Sequence, residues 1–163
     1  MEPRFRLPTP ALAPLWVLLA AFAIQLPLAL APGYFSHDEL QWAWRAQVVD
    51  FVPWWDHRDT FQFRPLTFNV WMALSRAFFD TPRVFHSILV AWGSLNAALL
   101  FVVGRRFGMG ARAAAIGAIG FVLTPFAAYT HGWVATIADL IWVSDALVLA
   151  WCVLRFERPV LVG

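Results

Sequence analysis

The sequence contains no lysine, one cysteine and few charged residues of either sign. Charged residues make up 13% of the 163 positions and hydrophobic residues 61%, whereas soluble globular proteins average about 25% charged and about 45–50% apolar residues. The net charge of +2, without a recognisable motif, does not indicate nucleic-acid binding. The single Cys152 excludes an intrachain disulfide and a thiolate metal site. The composition therefore indicates an integral membrane protein.

Four apolar runs are long enough to cross a bilayer, which takes about twenty helical residues. They cover about 12–31, 84–103, 111–128 and 134–154. A cleaved signal peptide is the alternative for the first run, because Ala29-Leu30-Ala31 resembles a cleavage site. That run is longer than a usual signal core, so we interpret it as a retained transmembrane helix. We predict one all-α, polytopic membrane domain over residues 1–163.

Residues 32–83 form the one substantial polar region, and we predict interfacial helices within it. Ser36 followed by Glu39 fits the capping-box pattern at the start of a helix. Apolar residues then recur at four-residue spacing, which is typical of an amphipathic helix lying along a bilayer surface. They are Leu40, Trp44 and Val48.

Prolines indicate further helix boundaries. Pro65 is a suitable first residue for a second interfacial helix, and Pro82 after a capping Thr81 is suitable for the next span. Pro125 predicts a kink in the run over 111–128.

Arginine is distributed unevenly between the two ends of the predicted spans. The N-terminus, residues 104–112 and the C-terminus hold seven arginines and two glutamates, a net charge of +5, whereas residues 32–83 have a net charge of −1. Cytoplasmic segments carry the excess of positive residues. We therefore expect both termini in the cytoplasm and residues 32–83 outside.

Two adjacent carboxylates follow the first apolar run. Negative charge is favoured at a helix start, so Asp38 is available there as a general base, although surface solvation explains it equally well. For Glu39 the capping role alone is a sufficient explanation. Two adjacent carboxylates are not a coordination sphere for a divalent ion, and Arg58 opposes a cation beside His57. We expect no cofactor, and a divalent metal ion stays an alternative that these residues do not support.

Several short motifs follow the acidic pair and a Trp-rich segment along the chain. They are Phe63-Arg64-Pro65-Leu66, Phe79-Asp80-Thr81-Pro82-Arg83-Val84-Phe85-His86, Gly104-Arg105-Arg106-Phe107-Gly108 and Asp139-Leu140. In this order the set resembles the N-terminal part of the GT-C glycosyltransferases, and is similar in particular to the protein O-mannosyltransferases, the aminoarabinose transferases and their bacterial relatives.

The resemblance implies transfer of a sugar from a polyprenyl-phosphate donor to an acceptor at the outer face of a bacterial inner membrane. The acidic residue matching Asp38 acts in that family as general base on the acceptor hydroxyl, and Glu39 matches its neighbour. A weakly nucleophilic hydroxyl needs such a carboxylate within hydrogen-bond reach. The lipid donor arrives from the bilayer, so the site is expected at the interface.

A leaving phosphate also needs cationic stabilisation. Arg64, Arg58 and Arg45 are the candidates, and for each a salt bridge or a lipid-headgroup contact is the alternative. Asp139 and His131 complete the predicted substrate-binding residues. We expect Asp38 at the outer mouth of a cavity between the first and fourth spans, within reach of Arg64 or Asp139.

Four spans are fewer than the GT-C enzymes usually have. We therefore expect an incomplete enzyme: a fragment, a degenerate copy, one half of a split enzyme, or a small membrane protein that keeps only the fold of the N-terminal module. The expected partners are membrane lipid, the lipid-linked sugar donor and, for a split enzyme, a second membrane chain that supplies the missing helices. Ionisable groups within spans are functional candidates by default. Asp145 lies about 9 Å deeper than Asp139 along its helix and is interpreted as a contact with such a chain. The alternative function is a non-catalytic accessory or assembly subunit.

Overall fold

The computed structural model describes residues 11–34, 37–52 and 64–156, and the regular structure within these ranges is entirely helical. The helices are α1 (Ala13–Leu30), α2 (His37–Val48), α3 (Pro65–Phe78), α4 (Pro82–Arg106), α5 (Ala111–Val122), α6 (Pro125–Gly132) and α7 (Ile137–Phe156). A 3₁₀ turn, Val134–Thr136, leads directly into α7. The predicted all-α fold is confirmed over the described residues.

Three segments are long and apolar enough to cross a membrane: α1, α4 and the continuous helical stretch Val134–Phe156. The run predicted as a single span over 111–128 is two helices, α5 and α6, bent by 59°. Thr124 explains the break, because its hydroxyl accepts a hydrogen bond from the Ala127 N–H while Pro125 begins α6. The pair makes a fourth span only if both helices belong to one crossing.

Helix α4 is the centre of the fold and packs against α1, α5, α6 and α7. Helix α1 contacts it through a narrow stripe that recurs every four residues and consists of small or medium side chains, which permit close packing. These buried residues are Val17, Ala21, Gln25 and Ala29. On α4, Ala97 and Phe101 complete this first core together with residues of α5.

A second core joins α3, α4 and the start of α7. Trp71 of α3 and Phe85 of α4 are both buried in it. The 3₁₀ turn contributes Val134, and α7 contributes Ile137 and Leu140. This core fixes the α2–α3 region against the N-terminal end of α7.

Helices α2 and α3 pack against each other and are joined by polar contacts to backbone. Arg76 donates hydrogen bonds to the carbonyls of Val49 and Asp50 beyond the end of α2, where carbonyl groups lack helical partners. The Asn69 amide pairs with both backbone groups of Val52, at 2.7 and 3.0 Å. The C-terminal end of α2 is therefore tied to α3.

The predicted amphipathic pattern of α2 places its apolar stripe outward. Leu40, Trp44 and Val48 are exposed, whereas Ala43 and Ala46 face the protein. Such an outward apolar stripe matches a helix that lies on a bilayer surface.

The predicted helix starts had mixed outcomes. Pro65 and Pro82 do begin α3 and α4, but the Thr81 hydroxyl donates to the Phe78 carbonyl and makes no cap on α4. Ser36 lies outside the described residues, so its predicted cap stays a prediction.

Candidate functional site

Asp38 lies in the first turn of α2 with its side chain 60% exposed. The Nδ1 of His37, which is itself exposed, lies 3.9 Å from the Oδ1 of Asp38. An exposed pair at this distance contributes little to stability. The carboxylate is thus accessible, and the unpaired N–H groups of a helix start favour negative charge there.

Glu39, by contrast, is completely buried. Its Oε1 accepts a hydrogen bond from the backbone N–H of Val134 at 3.2 Å, and this N–H belongs to the first residue of the 3₁₀ turn. The carboxylate therefore connects the start of α2 to the entrance of α7. No local sequence spacing relates positions 39 and 134. The sequence therefore predicted for Glu39 a capping role and a place beside Asp38 in the candidate catalytic pair, but not this contact.

Tyr34 joins this region and had no role in the sequence prediction. Its hydroxyl donates to the carbonyl of Phe79, and the two rings stack with centroids 4.3 Å apart. Burial, followed by the negative charges of Glu39 and Asp80, raises the pKa of Tyr34 from its ordinary value of 10.0 to about 12. The phenol is therefore neutral at physiological pH and acts as a hydrogen-bond donor.

Arg45 lies seven residues after Asp38, which places both on one side of α2, about 10 Å apart along its axis. Its guanidinium lies over the ring of Trp42 at 5.2 Å, and Trp42 stacks on Phe68 of α3 at 4.1 Å. The Nε of Arg45 is buried and has no hydrogen-bond partner in the part of the chain that the structure describes. A fixed cation therefore shares a helix face with an accessible carboxylate.

The other predicted substrate-binding residues differ in placement. Arg64 is exposed at the start of α3, and Asp139 is partly buried in the first turn of α7. Because Glu39 binds the turn that leads into α7, Asp139 lies on the same end of the protein as the start of α2. The reach from Asp38 to Arg64 or Asp139 stays a prediction, and Arg58 lies outside the described residues.

His131 is enclosed by helices instead of facing a solvent-accessible surface. Its Nδ1 donates to Oε1 of Gln25, and the Gln25 amide donates to the Val122 carbonyl at 2.9 Å. The ring lies against α4 at Gly93, where an added methyl group would overlap it. His131 therefore connects α1, α4 and α6. Gln25 is the lone polar residue within the first apolar run, which signals that it needs a buried partner but does not identify His131 as that partner.

An apolar groove of about 570 Å³ runs between the end of α1 and α6. This volume lies within the range of small-molecule sites. The groove is lined by Pro27, Leu28, Ala31, Pro32, Gly33, Ala128, Tyr129, Gly132 and Trp133. Trp133 immediately precedes Val134, the residue bound by Glu39. The groove and the start of α2 are thus connected through one short piece of backbone.

The described residues contain no group of three or more His, Cys, Asp or Glu side chains placed to hold a metal ion. The segment around His57 lies outside them. The described site therefore combines the accessible carboxylate of Asp38, the cation of Arg45 on the same face of α2, and the apolar groove.

No significant match was found to a protein-family model, a curated protein or a solved structure. The resemblance to the GT-C glycosyltransferases therefore rests on the ordered sequence motifs alone.

Proposed function

We propose that the chain is a GT-C-like glycosyltransferase module that uses a polyprenyl-phosphate-linked sugar, with Asp38 as general base. The observation that carries the proposal is the position of this exposed carboxylate. It begins a helix whose first turn is fixed, through Glu39 and Val134, beside an apolar groove. A lipid-linked donor requires this combination of an apolar groove and an accessible polar group.

In the proposed reaction, the acceptor hydroxyl oxygen attacks the anomeric carbon of the donor sugar. Its proton passes to the Asp38 carboxylate as the new glycosidic bond forms. The bond between the anomeric carbon and the phosphate oxygen breaks, and polyprenyl phosphate leaves. Arg45 and Arg64 are the candidate cations among the described residues that could stabilise the leaving phosphate.

The proposal places this reaction on the outer face of a bacterial inner membrane, with both termini in the cytoplasm. The charge difference between residues 32–83 and the remaining loops supports that orientation. The proposed donor chain lies in the groove, with membrane lipid around it.

A non-catalytic accessory subunit is the second candidate. The observation that favours it is Asp145, which is exposed in the middle of an apolar helical segment. Such a residue is a candidate for contact with another chain. Such a subunit needs no accessible base, so loss of the Asp38 carboxylate would leave its role intact.

Filling the groove tests the proposal. Ala128 lines the groove and is exposed, so Ala128→Trp should occupy the volume assigned to the lipid chain. Ala113 of α5 is also exposed and does not line the groove, so Ala113→Trp is the matched control. In a transfer assay with membranes that contain the chain and a radiolabelled polyprenyl-phosphate sugar, Ala128→Trp should raise the KM for the donor, and Ala113→Trp should not. Absence of chain-dependent transfer, or equal effects of both variants, would contradict the proposal.

A further inference from the structure

Asp145 occupies the central position of the apolar helical segment Val134–Phe156. The segment has 23 residues, and eleven lie on either side of Asp145. At about 1.5 Å of rise per residue, the carboxylate is roughly 16 Å from each end. This is about half the thickness of the hydrocarbon layer. If this helix crosses the membrane, Asp145 therefore lies near the middle of the hydrocarbon layer.

The polar residue next to Asp145 points into the protein and has all the partners it needs. Ser144 donates to the Asn96 side chain at 2.7 Å and accepts from the Trp92 indole at 2.8 Å. The Asn96 amide in turn donates to the Leu140 carbonyl at 3.0 Å. This network joins α4 to α7 and does not include Asp145.

Asp145 instead belongs to an exposed side of α7, which we call the outer face of α7. Its members recur at spacings of three and four residues, as one side of a helix requires. They are Trp142, Asp145, Leu149, Val153 and Phe156. Trp142 and Leu149 are each 65% exposed and Phe156 is 71% exposed. The face is therefore apolar except for one carboxyl group at its centre.

Lipid alone does not stabilise the carboxyl group on this face. A charged side chain at the centre of a membrane helix costs about 2.5–3.5 kcal/mol even on the most permissive scale. A carboxyl group in either protonation state also requires hydrogen-bond partners, which hydrocarbon does not supply. In the described part of the chain, Asp145 has no ion pair or hydrogen bond through its carboxylate. The described part of the chain therefore supplies no compensating group for it.

The arginines of the described apolar helices do not match the depth of Asp145. Within the described apolar helices α1, α4, α5, α6 and α7, every arginine lies in the first two or last two residues of its helix. A symmetric contact between two copies through the outer face would oppose the two Asp145 carboxylates, and like charges repel. Charge complementarity therefore favours a different chain over a second copy.

We propose that the outer face of α7 docks a transmembrane helix of another protein that carries an arginine or lysine near the middle of the bilayer. The cation neutralises Asp145, and the apolar residues above and below it pack against the partner helix. This inference does not depend on the proposed glycosyltransferase activity, because neither Asp38 nor the groove contributes to the outer face of α7.

Synthetic helices in lipid vesicles can test this contact. The probes are 23-residue Leu/Ala peptides with a central arginine, a central leucine, or an arginine moved seven positions toward one end. The full chain has no lysine, so an amine-reactive dye labels only its α-amino group, and energy transfer to a labelled peptide reports association. An interhelical polar contact of about 1–2 kcal/mol predicts roughly tenfold tighter binding of the arginine-centred peptide than of the leucine-centred one.

Two variants of the full chain complete the experiment. Asp145→Leu should reduce that ratio to about one, whereas Asp139→Asn, which alters the other carboxylate of α7, should leave it at roughly ten. Circular dichroism confirms that both variants keep their helical content. Equal binding of the three peptides by the unaltered chain would overturn the proposal in favour of a lipid-covered face. Energy transfer between copies of the chain that is lost in Asp145→Leu would overturn it in favour of a second copy.

Discussion

The carboxylate of Glu39 accepts a hydrogen bond from the backbone N–H of Val134, across 95 positions of sequence. The two residues belong to helix starts that the chain brings together at one end of the protein, α2 and the turn before α7. Because the N–H of a helix start has no helical acceptor, the Glu39 carboxylate satisfies a group that burial would otherwise leave unpaired. This contact separates the roles of the acidic pair: Glu39 is a structural connection, and Asp38 stays accessible.

Removal of the Glu39 side chain should destabilise the protein. Glu39→Ala leaves the buried Val134 N–H without this acceptor, which typically costs about 1–3 kcal/mol in the free energy of unfolding. Glu39→Gln keeps an acceptor oxygen and should lose less. Unfolding by denaturant in detergent, followed by circular dichroism, measures both, with Asp38→Ala as the exposed control. Equal stability of Glu39→Ala and Asp38→Ala would contradict the structural role.

Gly93 should tolerate no larger residue, because the ring of His131 occupies the space of a side chain there. Gly93→Ala forces overlap in a packed interior, for which about 1–3 kcal/mol of destabilisation is typical. Gly117→Ala on α5 is the matched control, since nothing lies within 4 Å of the added methyl group. The thermal unfolding midpoint should fall for Gly93→Ala and stay level or rise for Gly117→Ala. The reverse order would show that the His131 ring does not lie against α4.

Tyr34 should ionise only in strongly alkaline solution. In a Tyr129→Phe variant it is the remaining tyrosine, so the absorbance of tyrosinate near 295 nm reports its titration alone. Folding raises the pKa of Tyr34 from 10.0 to about 12. The neutral phenol of Tyr34 therefore contributes fully to the free energy of unfolding below pH 10, and this contribution is lost as the pH rises from about 10 to about 12. A midpoint near 10 in the folded protein would contradict the burial of Tyr34 beside Glu39 and Asp80.

The proposed orientation, with residues 32–83 outside and both termini in the cytoplasm, rests on the arginine distribution and can be tested by cysteine labelling. In a Cys152→Ser background, Gln41→Cys on the exposed side of α2 should react with an impermeant maleimide in intact cells. Met109→Cys, in the exposed turn between α4 and α5, should react only after permeabilisation. The opposite pattern would reverse the proposed topology.

Helix content and apolar segments could be predicted from this sequence because they depend on local composition and spacing. Pro65 and Pro82 begin helices as predicted, since proline suits a first turn whatever the tertiary context. The contacts of Glu39 with Val134 and of Gln25 with His131 could not be predicted, because each joins residues about 100 positions apart. Burial also distinguishes neighbours that look equivalent in sequence: Asp38 faces outward and Glu39 inward, according to where they fall around α2.

The rate of sugar transfer by Asp38→Asn measures whether Asp38 acts as the general base. Asparagine keeps the size of the side chain but cannot accept the proton of the acceptor hydroxyl, so general-base catalysis is lost. With a polyprenyl-phosphate sugar as donor, transfer should fall by roughly 10²-fold or more, while the unfolding midpoint and the KM for the donor stay at their wild-type values. Transfer by Asp38→Asn at the wild-type rate would show that Asp38 is not the general base, and the acidic pair would then have only a structural role.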